Sequence, residues 1–87
     1  MYLVIWGSMK NAEYYRSSDL ALVVTLSLFF PLDSIERVEK GRVVFVFQLT
    51  DKLTKLLEKY WHGKIRVEPQ QYAIQTKAIK TRIYSDL

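Results

Sequence analysis

Residues 33–48 read DSIERVEKGRVVFVFQ, and this stretch decides the fold. Two runs with strand composition, Asp33–Glu39 and Arg42–Gln48, are joined by Lys40-Gly41. Gly41 is free to take the positive φ that a tight hairpin turn requires. In the second run Val43, Phe45 and Phe47 share one face, and Val44 and Val46 share the other. Both faces are apolar. A half-solvated strand alternates apolar with polar, so this strand is expected to be covered on both sides or central in its sheet.

The flanking sequence supplies helices. Upstream, Glu13 to Arg16 reads as a short extended piece, and Ser17-Ser18-Asp19 carries helix-capping chemistry. There a Ser side chain can accept from a free amide of the first turn, and Asp19 complements the positive end of the helix dipole. Leu20–Phe30 has two readings. Its Thr25/Ser27 alternation and β-branched residues suit a strand. Its cap, its length and Pro31 beyond it suit a helix, which is the reading we adopt. Such a helix is apolar nearly all round, so it must lie centrally or be covered by a partner.

Downstream, Thr50-Asp51 opens a second helix in which Leu53, Leu56, Leu57 and Tyr60 recur at i, i+3, i+4 and i+7. That spacing marks one buried face, and Gly63 is placed to end the helix. Residues 64–68 are loop or extended. Pro69 at a first helical position starts a third helix, with Tyr72, Thr76, Ile79 and Ile83 as its core stripe and Ala73, Lys77, Lys80 and Tyr84 beside it. The predicted fold is α+β: a two- to three-stranded antiparallel sheet built on hairpin 33–48, packed with three helices at about 19–30, 51–62 and 69–85. Residues 9–87 form one domain. Residues 1–8, MYLVIWGS, stand apart as a cloning remnant, an upstream start or a genuine extra strand.

Composition narrows the chemistry. With 87 residues, 49% hydrophobic and 14% aromatic, the chain is one small, core-forming domain. It has no cysteine, which excludes disulfides, thiolate metal sites and cysteine nucleophiles, and favours a reducing cytoplasm. The longest apolar stretch, Leu20 to Leu32, is interrupted by polar residues and Pro31 and falls short of a membrane span.

The stretch from Tyr14 to Tyr84 resembles a family of small bacterial, archaeal and phage proteins defined only as a domain of unknown function. The resemblance is carried by Tyr15-Arg16-Ser17-Ser18-Asp19-Leu20-Ala21-Leu22, Ile35-Glu36-Arg37-Val38 and Arg42-Val43-Val44-Phe45-Val46-Phe47. It continues in Tyr60-Trp61-His62-Gly63-Lys64-Ile65-Arg66-Val67 and Lys80-Thr81-Arg82-Ile83-Tyr84. It implies the order helix, hairpin, helix, helix, and it leaves out Met1–Ser8. It brings no activity, ligand or catalytic residue with it.

Few parts of an enzyme are present. His62 is the only histidine, and no second histidine or cysteine exists to share a metal with it. It is expected at a helix C-terminal turn, against helix carbonyls. The carboxylate pairs Glu36/Glu39 and Asp19/Asp33 form no DxD or ExxH arrangement, and no EF-hand or phosphate-loop spacing occurs, so these acids read as caps and solvated faces. No catalytic residue, metal, cofactor, membrane or small-molecule partner is expected.

Charge placement is more informative. The formal net charge is +4. Residues 1–49 hold five cations and five anions, whereas residues 50–87 hold eight cations and four anions, so the whole excess lies in the second half. Lys52, Lys55 and Lys59 fall on one side of the second helix, Lys64 and Arg66 in the connection, and Lys77 and Lys80 on the third helix beside Tyr84. If the two helices pack side by side, these residues join into one positive strip suited to weak, salt-sensitive nucleic-acid binding. The alternative is a protein-interaction module (an adaptor, subunit, inhibitor or homodimer) using an apolar patch of Phe29, Phe30 and Trp61.

Overall fold

A computed structural model describes residues 13–39 and 41–85. The expectations for residues 1–8 and for Lys40 lie outside the described residues. The elements follow the order β1 (Tyr14–Ser17), α1 (Leu20–Ser27), β2 (Ser34–Glu39), β3 (Arg42–Gln48), α2 (Asp51–Trp61) and α3 (Pro69–Ser85). The three strands form one antiparallel sheet in the order β1-β3-β2. This is the α+β arrangement expected, with the short piece before α1 supplying the third strand.

β3 is central because it alone is apolar on both faces. Tyr15 pairs with Phe47 and Ser17 with Phe45 on one side, and Ile35 with Phe45 and Arg37 with Val43 on the other. The hairpin register shifts between Arg37 and Glu39, next to Gly41 at φ 74°. On the face opposite the helices, the Arg16 guanidinium of β1 meets the Glu36 carboxylate of β2 at 3.2 Å, reaching across β3. This exposed pair contributes no more than about 1 kcal/mol, but it gives the outer sheet face a charged cover over Val44 and Val46.

α1 occupies the centre of the other layer. Five consecutive residues, Leu22 to Leu26, are buried. The sheet contributes Val43, Phe45 and Phe47 to the same core, α2 contributes Leu53, and α3 contributes Ile79. The one buried polar residue of the described core, Thr25, donates its hydroxyl to the Ala21 carbonyl at 2.9 Å, so no unpaired group is left there. Entry to the helix is fixed by two adjacent serines and Asp19. The Asp19 carboxylate is the N-cap and accepts from the Leu22 amide, while Ser17 Oγ accepts from the Asp19 amide. Ser18 Oγ instead donates to the Val43 carbonyl at 2.8 Å, capping β3 where β1 leaves the sheet.

α1 is shorter than the 19–30 expected. It stops at Ser27, and Leu28 to Phe30 tighten into a closing turn, with the Phe29 and Phe30 amides both donating to the Leu26 carbonyl. Pro31 causes this: its ring disfavours helical backbone at the residue before it, and it has no amide to continue the ladder.

The other helices carry the caps their sequences announce. Thr50 Oγ1 accepts from the Leu53 amide at the start of α2. At its end Gly63 takes φ 67°, with its amide donating to Tyr60 O and that of Lys64 to Lys59 O, a Schellman closure. The Glu68 carboxylate accepts from the Gln70 and Gln71 amides and starts α3. α3 is tied inward twice: Gln75 Nε2 donates to Ser27 Oγ of α1 at 3.0 Å, and Arg37 of β2 donates to the Ile83 carbonyl.

Leu53 is fully buried between α2 and the shared core. Leu53→Ala is expected to cost about 2–5 kcal/mol, which in a domain this small is a large share of total stability. Lys55→Ala, on the exposed side of the same helix, is expected to change stability by less than about 0.5 kcal/mol. Urea unfolding followed by circular dichroism checks both.

Candidate functional site

The lysine side of α2 carries the most organised surface among the described residues. At about 100° per residue, Leu53, Leu57 and Tyr60 turn α2 toward the core, and Lys52, Lys55 and Lys59 project together from one flank. Leu56 lies between that flank and the core. All three lysines are exposed. From Lys52 to Lys59 the helix advances about 10 Å, so the ammonium groups form a short row along its axis.

Three adjoining depressions follow this row. The first, about 420 Å³, lies between Phe30–Asp33 and the start of α2 at Thr50 and Lys52. The second, about 190 Å³, is lined by the half-buried Phe30 and Leu56, by Phe29, and by the exposed Lys52, Lys55 and Lys59. The third, about 520 Å³ and open, is lined by Lys55, Glu58, Lys59, His62 and Lys64. Neighbouring depressions share Phe30 with Lys52, and Lys55 with Lys59, so they make one groove. Its middle is apolar at the floor and cationic at the rim. Phe29 is half exposed there, with 50% of its surface accessible.

The other expected site residues are distributed differently. α1 packs against both α2 and α3 and is the partner they share. The two later helices therefore do not lie side by side, and Lys77, Lys80 and Tyr84 are exposed on α3 apart from the groove. Arg66 braces the connection: its guanidinium donates to the carbonyls of Gly63 and Ile65, both at 3.1 Å. Trp61 is 64% exposed and packs edge-on against Tyr60, ring centres 5.1 Å apart. It projects from α2 roughly opposite Lys52, so it does not join Phe29 and Phe30 in one patch. What sequence reasoning missed is the pairing of Phe29 and Phe30 with the α2 lysines and Leu56. The available signal was Pro31, which ends α1 early and turns both rings out of the helix.

His62 is the C-cap of α2, and its Nδ1 lies 2.7 Å from the Glu58 carbonyl. A carbonyl only accepts, so Nδ1 is the donor in this contact. Among the described residues no group of three or more His, Asp or Glu side chains is placed to hold a metal ion. No helix among them is long and apolar enough to cross a membrane.

These features define a small two-layer α+β domain with a cationic, apolar-floored groove along one helix. The chain belongs to the DUF5659 family, a domain of unknown function whose model matches residues 12–85. The resemblance read from residues 14–84 is therefore a family membership. Comparison with curated proteins and with solved structures returns no match.

Away from the groove, two phenols are perturbed. Burial first, and the Asp19 carboxylate second, raise the Tyr15 hydroxyl above the ordinary phenol value. Tyr60 is raised by burial, then by Asp19 and by Tyr72. A raised folded-state value means that the folded protein holds these protons more tightly than the unfolded chain does. The associated stability is full below the unfolded value of about 10 and is lost as pH rises through the folded values. Unfolding free energy is expected to decline above about pH 10, less steeply in Tyr15→Phe/Tyr60→Phe, and absorbance titration should show tyrosinate forming later in the native than in the unfolded protein. Coincident titration curves would remove the effect.

Proposed function

We propose that this protein is a non-enzymatic nucleic-acid-binding accessory protein whose contact surface is the lysine side of α2. The observation that carries the reading is the groove itself: Lys52, Lys55 and Lys59 of α2, with Lys64 just beyond it, line adjoining depressions in which Glu58 is the one acidic neighbour of these lysines. Cations in a row along a concave track match the regular negative charge of a nucleic-acid backbone, and each phosphate they neutralise releases counterions. The excess of positive charge in residues 50–87 supports the same reading at long range, since it draws a polyanion toward this half of the domain. The lack of cysteine suits a reducing cytoplasm as the place of action.

A protein-interaction module could also draw on the two most apolar elements, α1 and β3. α1 is enclosed by the sheet, α2 and α3, and β3 is flanked by β1 and β2, with its outer face under the Arg16–Glu36 pair. Trp61, well exposed and outside the groove, is the residue that still favours a protein partner.

Fluorescence anisotropy with a labelled oligonucleotide tests the proposal. Binding at low salt is expected, with log Kobs falling against log salt at a slope of about −2 to −3 for three or four lysines engaged. Lys55→Ala/Lys59→Ala should reduce the magnitude of that slope by about 1.5, while Lys77→Ala/Lys80→Ala leaves it unchanged. No binding at micromolar protein, or equal losses from the two lysine pairs, would sink the assignment to α2.

A further inference from the structure

We infer that the groove takes single-stranded rather than duplex nucleic acid, with the Phe29 ring as the platform on which a base stacks. The inference deepens the reading above and rests on it. Lysines alone would suit either form. The discriminating feature is what lies between them: the middle depression is lined by the half-buried Phe30 and Leu56 and the half-exposed Phe29, together with the exposed Lys52, Lys55 and Lys59. A duplex presents only phosphate and sugar along its backbone and keeps its base faces in the stack, so an apolar floor under the phosphate track gains nothing from it. A single strand has unstacked bases, and each can lay its face on an aromatic ring while the flanking phosphates meet cations.

The geometry of the ring fits this use. Phe30 is half buried and packs against the core, which fixes the floor. Phe29, its neighbour, is half exposed and follows α1 in a turn closed by two hydrogen bonds to the Leu26 carbonyl. The ring is therefore carried on an ordered support, so little entropy is lost when a base covers it.

An acidic amphipathic helix is the competing occupant, since it too would answer a cationic rim. It needs a groove deep enough to take several side-chain anchors spaced by turns. At the middle depression, about 190 Å³, the half-exposed Phe29 offers a ring face and little depth, and the larger depressions on either side make the acidic peptide a necessary arm of the test.

The test compares binding of an oligothymidine, a duplex of equal length, heparin and an acidic helical peptide, for the wild-type chain and for Phe29→Ala, Phe29→Leu and Phe29→Tyr. Oligothymidine is expected to bind at least about fivefold tighter than duplex, because loss of one stacked base is expected to cost about 5- to 150-fold. Phe29→Ala should weaken oligothymidine by that factor with an unchanged salt slope and leave duplex binding as it was. Phe29→Leu keeps apolar bulk without an aromatic face and should lose nearly as much, whereas Phe29→Tyr retains affinity. Far-UV circular dichroism and urea midpoints confirm that each variant is folded. Duplex binding equal to oligothymidine, or full oligothymidine affinity in Phe29→Leu, overturns the single-strand inference and leaves the nucleic-acid reading in place. Tighter binding of heparin or the acidic peptide than of oligothymidine also overturns it. No binding of either nucleic acid takes down both.

Discussion

A helix with five consecutive buried residues has no solvent side, and α1 is such a helix. Leu22, Val23, Val24, Thr25 and Leu26 cover more than a full turn, so an apolar neighbour is required in every direction. The rest of the architecture answers that requirement. The sheet offers Val43, Phe45 and Phe47 from its central strand, and α2 and α3 close the remaining sides through Leu53 and Ile79. The polar atoms within this enclosure are paired locally: Thr25 bonds to Ala21, and Ser27 donates to Val24 and accepts from Gln75. These bonds matter because an unpaired buried polar group costs more than the bond that satisfies it contributes.

Enclosing α1 also determines what the later helices can do. α2 and α3 face the core from different sides of α1, so each keeps its own outward surface and their cations do not merge. α3 is fastened at two points, near its middle through Gln75 to α1 and near its C-terminus through the Ile83 carbonyl to Arg37 of β2. α2 is anchored through one apolar stripe and through its two caps. Its lysine flank remains free of intramolecular ion pairs among the described residues: the salt bridge found there lies on the opposite sheet face, between Arg16 and Glu36.

Local chemistry was legible in the sequence wherever a single segment decided the outcome. The hairpin needed only two strand-like runs and Gly41. The buried stripes of α2 and α3 needed only periodicity, and Leu53 and Ile79 are the residues most deeply buried in them. Thr50, Gly63 and Pro69 mark helix ends through backbone requirements that operate within a few residues. The same reasoning applied less well to Ser17-Ser18-Asp19, because the three side chains divide among an amide, a carbonyl and a helix amide that lie on different elements. The basic strip depended on how α2 and α3 are arranged about a third helix, and no local pattern encodes that. Trp61 was ambiguous for a related reason: periodicity places it beside the stripe of α2, and only the position of the neighbouring elements leaves it exposed.

The groove follows from where α1 ends. Had α1 continued through Phe30, the two phenylalanines would have pointed at fixed helical angles, one of them back toward the core already filled by Leu22 and Leu26. Pro31 stops the ladder, and Leu28 to Phe30 close it with bonds to Thr25 and Leu26 instead. The chain then leaves the helix beside α2, with Phe30 against the core and Phe29 outside it. In that position the two rings meet the flank of α2 that carries lysines, while the opposite flank bears Thr54 and Trp61. An apolar floor and a cationic rim, contributed by segments more than 20 residues apart, thus arise from a backbone constraint at a single residue. That constraint needs no contact with the lysines to place the rings among them.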